Sequence, residues 1–188
     1  MFAAEPYVSK ENLLGWANEL GLEFKKLAVQ KGEVFLKEKQ RCQYFYFIEE
    51  GFIRLYYLDL QGHEITHWFS GENMMITSPF SFFKEETNIL NFEALETTSL
   101  LLISREQWKA LSEENENSNR AIRRLSMEFS MQLSRRVMSI HTESAEYRYL
   151  KLIKNHPLIF QKANLGHIAS YLGITQQSLS RIRKRLAH

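Results

Sequence analysis

One cysteine, Cys42, stands among 188 residues. It excludes an intramolecular disulfide and any site built from several thiolates, such as structural zinc or an iron-sulfur cluster. A reducing compartment, the cytoplasm, is the expected location. Proline (3) and glycine (8) are too scarce for a collagen-like or Pro/Gly-rich filament. No apolar run approaches the roughly 18 residues of a membrane-spanning helix. Glu5, Lys10, Glu11 and Glu19 break up the first segment, so no secretory leader is read there. The chain also lacks a Gly-rich phosphate loop, a His-Glu-x-x-His pair and a Gly-x-Ser-x-Gly elbow. A non-enzyme without cofactor or metal is expected.

What is present is a 44% hydrophobic, 13% aromatic chain, enough apolar surface to offset the ordering entropy of a folded domain. The formal charge of +2 hides a partition. Residues 1–110 carry 11 basic and 16 acidic side chains, a net of −5; residues 145–188 carry 8 basic and 1 acidic, a net of +7. The basic excess sits in the tail.

The hydrophobic period changes along the chain. Ser9 is placed to cap a short helix bearing Leu13, Leu14, Ala17 and Leu20 and ending near Gly21. From Phe24 to Ile103, aromatic and β-branched runs alternate with the turn signals Lys31-Gly32, Glu50-Gly51, Gln61-Gly62 and Ser70-Gly71. The run Phe52 to Leu58 is apolar on both faces, which fits a small barrel or double-sheet jelly roll covered on the outside. Ser104 and Gln107 spell a capping box for a helix through Leu111. Beyond it, Ile122, Leu125, Phe129, Leu133, Val137 and Ile140 recur at helical spacing, with Met127, Met131 and Met138 as a second stripe. Both stripes fit internal core. The width of the apolar face also fits a long helix shared across a two-fold dimer, and these six residues are the expected interface.

A further helix over roughly Glu143 to Asn155 stops at His156-Pro157, since the residue before proline is pushed out of the helical region. After a link, Asn164 begins a helix to Tyr171, the turn Leu172-Gly173-Ile174 follows, and Thr175 caps a last helix, Gln176 to Leu186. Ile168, Ala169, Leu172, Ile174, Leu179 and Ile182 supply the apolar anchors of a helix-turn-helix. Outward remain Gln176, Gln177 and Arg181, whose amide and guanidinium groups suit base edges. Thr175, Ser178, Arg183 and Lys184 suit phosphate contact or positioning. Double-stranded DNA with a partly palindromic site is the expected partner; a solvated charged face is the plainer reading of the same cations.

Taken together, barrel, long helix and helix-turn-helix resemble the Crp/Fnr family of transcription regulators. The resemblance rests on Tyr44 to Gly71 with Gln61-Gly62-His63-Glu64, on Glu146 to Leu150, and on Ile168-Ala169-Ser170-Tyr171-Leu172-Gly173-Ile174 through Leu179 to Lys184. It is similar to the short Bacteroidetes type. The family implies an α+β chain: a cyclic-nucleotide-binding-type barrel (residues 1–112), a dimerisation helix (113–142) and a DNA-binding helix-turn-helix (143–188). It also implies RNA polymerase as a partner.

Two departures stand out. Family members that bind cyclic AMP hold it with a Gly-Glu pair and an Arg-Ser/Thr-Ala triplet, but no arginine occurs between Arg54 and Arg105, and Asn88 aligns where the arginine belongs. Without a guanidinium the cyclic phosphate lacks its main partner, so cyclic AMP binding is not expected. The apolar stretch there offers Trp68, Met74, Phe80, Phe83 and Phe92, with Asn88, as an effector pocket or as plain core. Second, the sequence stops at His188 after the reading helix, so a full wing is not expected. A haem reading of His63 and His67 and a thiol-switch reading of Cys42 have only position in their favour. An adaptor whose basic tail contacts protein is the competing class.

Overall fold

The computed structural model describes residues 8–186. Helix α1 (Lys10–Glu19) opens the chain, its N-terminus capped as expected by Ser9, whose Oγ accepts from the Asn12 amide at 3.2 Å. Eight strands follow: β1 (Lys25–Val29), β2 (Val34–Leu36), β3 (Phe45–Glu50), β4 (Ile53–Leu58), β5 (Glu64–Ser70), β6 (Met75–Ile76), β7 (Asn91–Ala94) and β8 (Thr98–Ile103), with a short helix α2 (Pro79–Lys84) between β6 and β7. They form two antiparallel four-stranded sheets, ordered β1-β8-β3-β6 and β2-β7-β4-β5. This is the jelly-roll architecture expected of a strand-rich segment with two-sided apolar runs.

Alternation along each strand sends one set of side chains between the sheets. Ile48 and Leu100 from one sheet meet Ile53, Leu55 and Phe92 from the other in a buried cluster. Each such fully buried side chain contributes roughly 1.5–3 kcal/mol of transfer free energy. The other set, Phe45, Phe47, Leu101 and Ile103, faces outward and is covered by α1, by α2 and by α3 (Arg105–Glu113). Trp108 of α3 stacks on Phe45 at 3.8 Å between ring centroids. The expected capping box starts α3, with Ser104 and Gln107 bonding each other's backbone amides at 3.3 and 2.9 Å.

Between β3 and β4 the chain turns at Gly51, with φ +109°. A Cβ there would lie 2.8 Å from Thr98 Cα, so glycine is required twice over.

Asn115 caps the long helix α4 (Glu116–Thr142). Then come α5 (Ala145–Asn155), α6 (Pro157–Lys162), α7 (Leu165–Tyr171) and α8 (Gln176–Leu186). The expected link after Pro157 is thus a helix in its own right: proline opens it at a position where its missing N–H costs nothing. The tail does not form a core by itself. Tyr149, Leu152, Ile159, Ile168, Leu172, Leu179 and Ile182 share a cluster with Phe52, Phe69 and Leu95 of the barrel. This explains the outer apolar residues next to β4 and at the end of β5: the tail covers them.

Candidate nucleic-acid interface

Helices α7 and α8 meet across a turn in which Gly173 takes φ +70°, the left-handed conformation that closes a helix-turn-helix tightly. In α7, Asn164 Oδ1 accepts from the His167 amide at 2.8 Å, and Ala169 is buried where the helices approach. Leu179 and Ile182 fix α8 by burying one face. Gln176, Gln177, Arg181, Arg183 and Lys184 are therefore left on the exposed surface. Thr175 caps α8, its Oγ1 accepting from the Ser178 amide at 3.2 Å and lying 3.0 Å from Ser178 Oγ. Arg181 Nη2 reaches Ser178 Oγ at 3.4 Å, which leans the guanidinium toward the helix N-terminus. The seven expected contact residues thus lie on one short helix and its cap. Among the described residues, Arg181, Arg183 and Lys184 have no carboxylate partner, whereas Arg185 is tied to Glu146 of α5.

Sequence reading missed Ser170 of α7. Its hydroxyl donates to the Glu64 carbonyl at 3.0 Å and accepts from the Thr66 amide at 2.8 Å, so it caps the edge strand β5 with the tail. Beside it, Arg136 of α4 donates to the Thr66 and Tyr171 carbonyls at 3.4 and 3.2 Å and lies 3.9 Å over the Tyr171 ring. Arg148 of α5 donates to the Leu172 carbonyl at 2.9 Å. No local pattern announces such bonds, because their acceptors come from distant parts of the chain.

The stripe expected to form the dimer interface is divided between its own chain and solvent, with Phe129, Val137 and Ile140 exposed. Ile122 and Leu125 pack on the α1/α3 cluster, Leu133 packs on the barrel core, and Phe129 meets Trp68 edge-on at 5.5 Å. Val137 and Ile140 border a cavity of about 330 Å³ between α4, β5 and α7. The six residues repeat on one helical face; Ile122, Leu125 and Leu133 pack on the chain's own core, while Val137 and Ile140 stay open to solvent. Met127 and Met138, 63% and 55% exposed, lie with Met131 roughly 120–160° around the helix from Leu133.

The six residues expected to line an effector pocket are not brought together. Trp68, Met74 and Phe92 belong to the barrel core. Phe80 and Phe83, 55% and 56% exposed, stand one turn apart on the outside of α2, because that helix buries Ser81 and Phe82 instead. Asn88 is fully occupied: its amide donates to the Lys37 and Leu90 carbonyls at 2.8 and 2.6 Å and accepts from the Leu90 amide at 3.0 Å. Cys42 is buried, with Sγ 3.3 Å from the Tyr44 carbonyl. His63 pairs with Asp59 at the hairpin tip, while burial pushes the His67 pKa below its ordinary value. Among the described residues, no cluster of three His, Cys, Asp or Glu side chains is arranged to hold a metal ion, and no helix is long and apolar enough to cross a membrane.

Residues 26–115 match the family model described as the cyclic nucleotide-binding domain. No curated protein sequence matches the chain. Among solved structures, FixK2 from Bradyrhizobium japonicum superposes with a TM-score of 0.74 at 17% identity, covering 88% of this chain and 85% of that one. A regulator assigned to the Crp/Fnr family from Eubacterium rectale gives 0.70 at 18% identity, with 93% and 82% covered. The catabolite activator protein of Thermus thermophilus gives 0.56 at 18%, with 94% and 81% covered. Residues 26–115 thus form a cyclic nucleotide-binding-type domain, and the chain as a whole has the fold of the Crp/Fnr transcription regulators.

Proposed function

We propose that this chain is a homodimeric, sequence-specific DNA-binding transcription regulator. The observation that carries the reading is α8, whose Leu179 and Ile182 are buried while Arg181, Arg183 and Lys184 stand exposed with no carboxylate partner among the described residues. Cations not neutralised within the protein are available to displace counterions from phosphates. Gln176, Gln177 and Arg181 read base edges in a major groove; Thr175, Ser178, Arg183 and Lys184 position the helix on the backbone. Two copies, each offering α8 to one half of a partly palindromic site, give the reach of one DNA turn. The division into barrel, dimerisation helix and tail at residues 112 and 142 follows that working arrangement. RNA polymerase is the further partner of a regulator so bound.

Pairing is assigned to the methionine face of α4. Met127, Met131 and Met138 recur at alternating spacings of four and seven, with Ser134 between the last two, which is the seam spacing of a two-stranded coiled coil. Flexible thioether side chains fill such a seam without demanding exact shape.

The barrel does not fit cyclic AMP. Asn88, where a phosphate-binding arginine would stand, spends its amide on the backbone. Arg54 is held by Glu64 and Glu93, and Arg105 by Glu85 and the Ser81 carbonyl. Neither charge is left uncompensated for a cyclic phosphate, although Arg54 Nη1 is buried without a hydrogen-bond partner among the described residues.

Titration of labelled genomic fragments at two salt concentrations tests the central reading. Binding that weakens steeply as salt rises, and that selects a reproducible half-site pattern, is the expected result. Binding insensitive to salt, or none, would favour the adaptor whose tail contacts protein.

A further inference from the structure

We infer that the cavity between β5, α4 and α7 is a binding site for a small organic acid: a carboxylate carried on an apolar body. Its volume of about 330 Å³ lies in the range of small-molecule sites. Most of its wall is apolar, with Ile65, Leu133, Val137 and Ile140 among the lining residues. Two polar groups in that wall are incompletely used.

The first is Arg136. Its guanidinium carbon lies 3.9 Å over the Tyr171 ring centroid, and Nη2 donates to two carbonyls, yet among the described residues no carboxylate pairs with it. Neutral carbonyls orient the group but leave its charge uncompensated. An arriving carboxylate would supply the missing charge and accept from the remaining N–H donors in the planar geometry that guanidinium favours. The second is Thr66, whose buried Oγ1 has no hydrogen-bond partner. A buried hydroxyl left unmade is costly; this one is closed off from the cavity in the present conformation, and a turn of the Thr66 side chain about χ1 would present it to a carboxylate oxygen. His67 also lines the cavity, and burial keeps its imidazole neutral to lower pH than usual, so it adds no second cation that would favour a dianion.

Such a ligand would touch the barrel, the long helix and the first helix of the helix-turn-helix at once. It would therefore stabilise the tail in the position where Ser170 caps β5. That consequence for DNA affinity rests on the function proposed above; occupancy of the cavity does not.

The test uses the full chain with octanoate and phenylpropanoate as probes and octanol and octylamine as controls, read by calorimetric titration and thermal denaturation. Both acids should bind saturably and raise the melting temperature; octanol should bind more weakly and octylamine not at all. Arg136→Met should weaken acid binding by about tenfold or more, the loss of one charge-assisted pair. Ile140→Trp, at an exposed position that tolerates bulk, should abolish binding by filling the space, so the result does not depend on the arginine variant folding. Equal binding of acid and amine, unchanged affinity in both variants, or no binding of either acid would overturn the proposal. A parallel titration of DNA without acid separates this outcome from failure of the DNA-binding reading.

Discussion

Arginine plays opposite parts in the two halves of this molecule. In the barrel, Arg54 is 1% exposed, flanked by Glu64 and Glu93 and stacked 4.1 Å from the Tyr56 ring centroid. In the tail, Arg181 and Arg183 stand in solvent with no acidic partner among the described residues. The same side chain is consumed by structure in one place and left available in the other. Burial decides which: a guanidinium removed from water must have its charge balanced. Arg54, balanced by two carboxylates and 1% exposed, is out of reach of a ligand even though its Nη1 lacks a hydrogen-bond partner among the described residues. The +7 of the tail is thus not merely a local surplus of residues. Lys151, Lys162 and Arg185 are paired with carboxylates, and what the fold leaves unspent is concentrated on α8, in Arg181, Arg183 and Lys184.

Removing Arg54 should have the largest effect on that contrast. Arg54→Ala strips two carboxylates of their partner, and Glu93, whose pKa burial already raises, is left on the wall of the sheet. A loss of about 2–4 kcal/mol is expected, below that of a wholly buried pair because Glu64 is half exposed, measurable by urea denaturation. Stability within about 0.5 kcal/mol of the parent would mean that the barrel arginine is as dispensable as an exposed one.

Next comes the outward face of α4. Met131→Glu places a charge in the proposed seam without touching the barrel-facing stripe, so sedimentation should find a folded monomer where the parent sediments as a dimer. Leu133→Glu, on the opposite side, should instead destabilise the chain itself, because Leu133 packs on the barrel core. A dimer that survives Met131→Glu would move the interface elsewhere.

In the tail, Arg181→Ala should leave stability unchanged and cost about 1–3 kcal/mol of binding at one base pair of the preferred site. Lys184→Ala should weaken cognate and scrambled DNA alike and lower the salt slope by about one. Competition titrations on both sequences check the pair. Equal losses on both sequences for Arg181→Ala would remove it from the readers.

The smallest effect concerns pH. Burial, aided for His167 by the nearby Arg54 charge, lowers His156 and His167 to about 4 from an ordinary 6.5. The unfolded chain then takes up protons that the folded chain refuses, so stability is full above about pH 6.5 and falls as the pH drops toward 4. Both histidines lie in the tail, which should therefore loosen before the barrel on acidification. Tail amides should lose hydrogen-exchange protection first in that window. His167→Gln should remove part of the dependence. Simultaneous loss of protection in barrel and tail would argue that the shared cluster around Phe52, Phe69 and Leu95 makes them one cooperative unit.

Legibility in the sequence followed the range of the interactions. Caps and turns are set within a few residues, so Ser9, Ser104, Asn164 and Thr175 each cap where the spacing placed them. Helix α8 was legible for the same reason, because Leu179 and Ile182 bury one face and sort the remaining side chains outward. The short helices α2 and α6 escaped notice, being under two turns long, and α6 is opened by Pro157, a residue read as a stop. The grouping of Phe80 and Phe83 with Trp68 and Phe92 failed because apolar character carries no direction: α2 rotates two of these rings out of the core.

The sequence alone determined the period changes from strand to helix, the charge partition, and the helix-turn-helix with its exposed amides and cations. These are properties of neighbours in the chain, fixed by backbone geometry and side-chain spacing. Only the tertiary structure decided which face of α4 meets the barrel, that Ser170 closes the edge of β5, that Asn88 is spent on backbone, and that Arg136 stands at a cavity without a counter-charge. Each of those involves groups far apart in the chain, from the Arg136–Tyr171 pair at a separation of 35 and the Asn88–Lys37 bond at 51 to the Ser170–Glu64 bond at 106, whose meeting is the outcome of packing rather than of local preference.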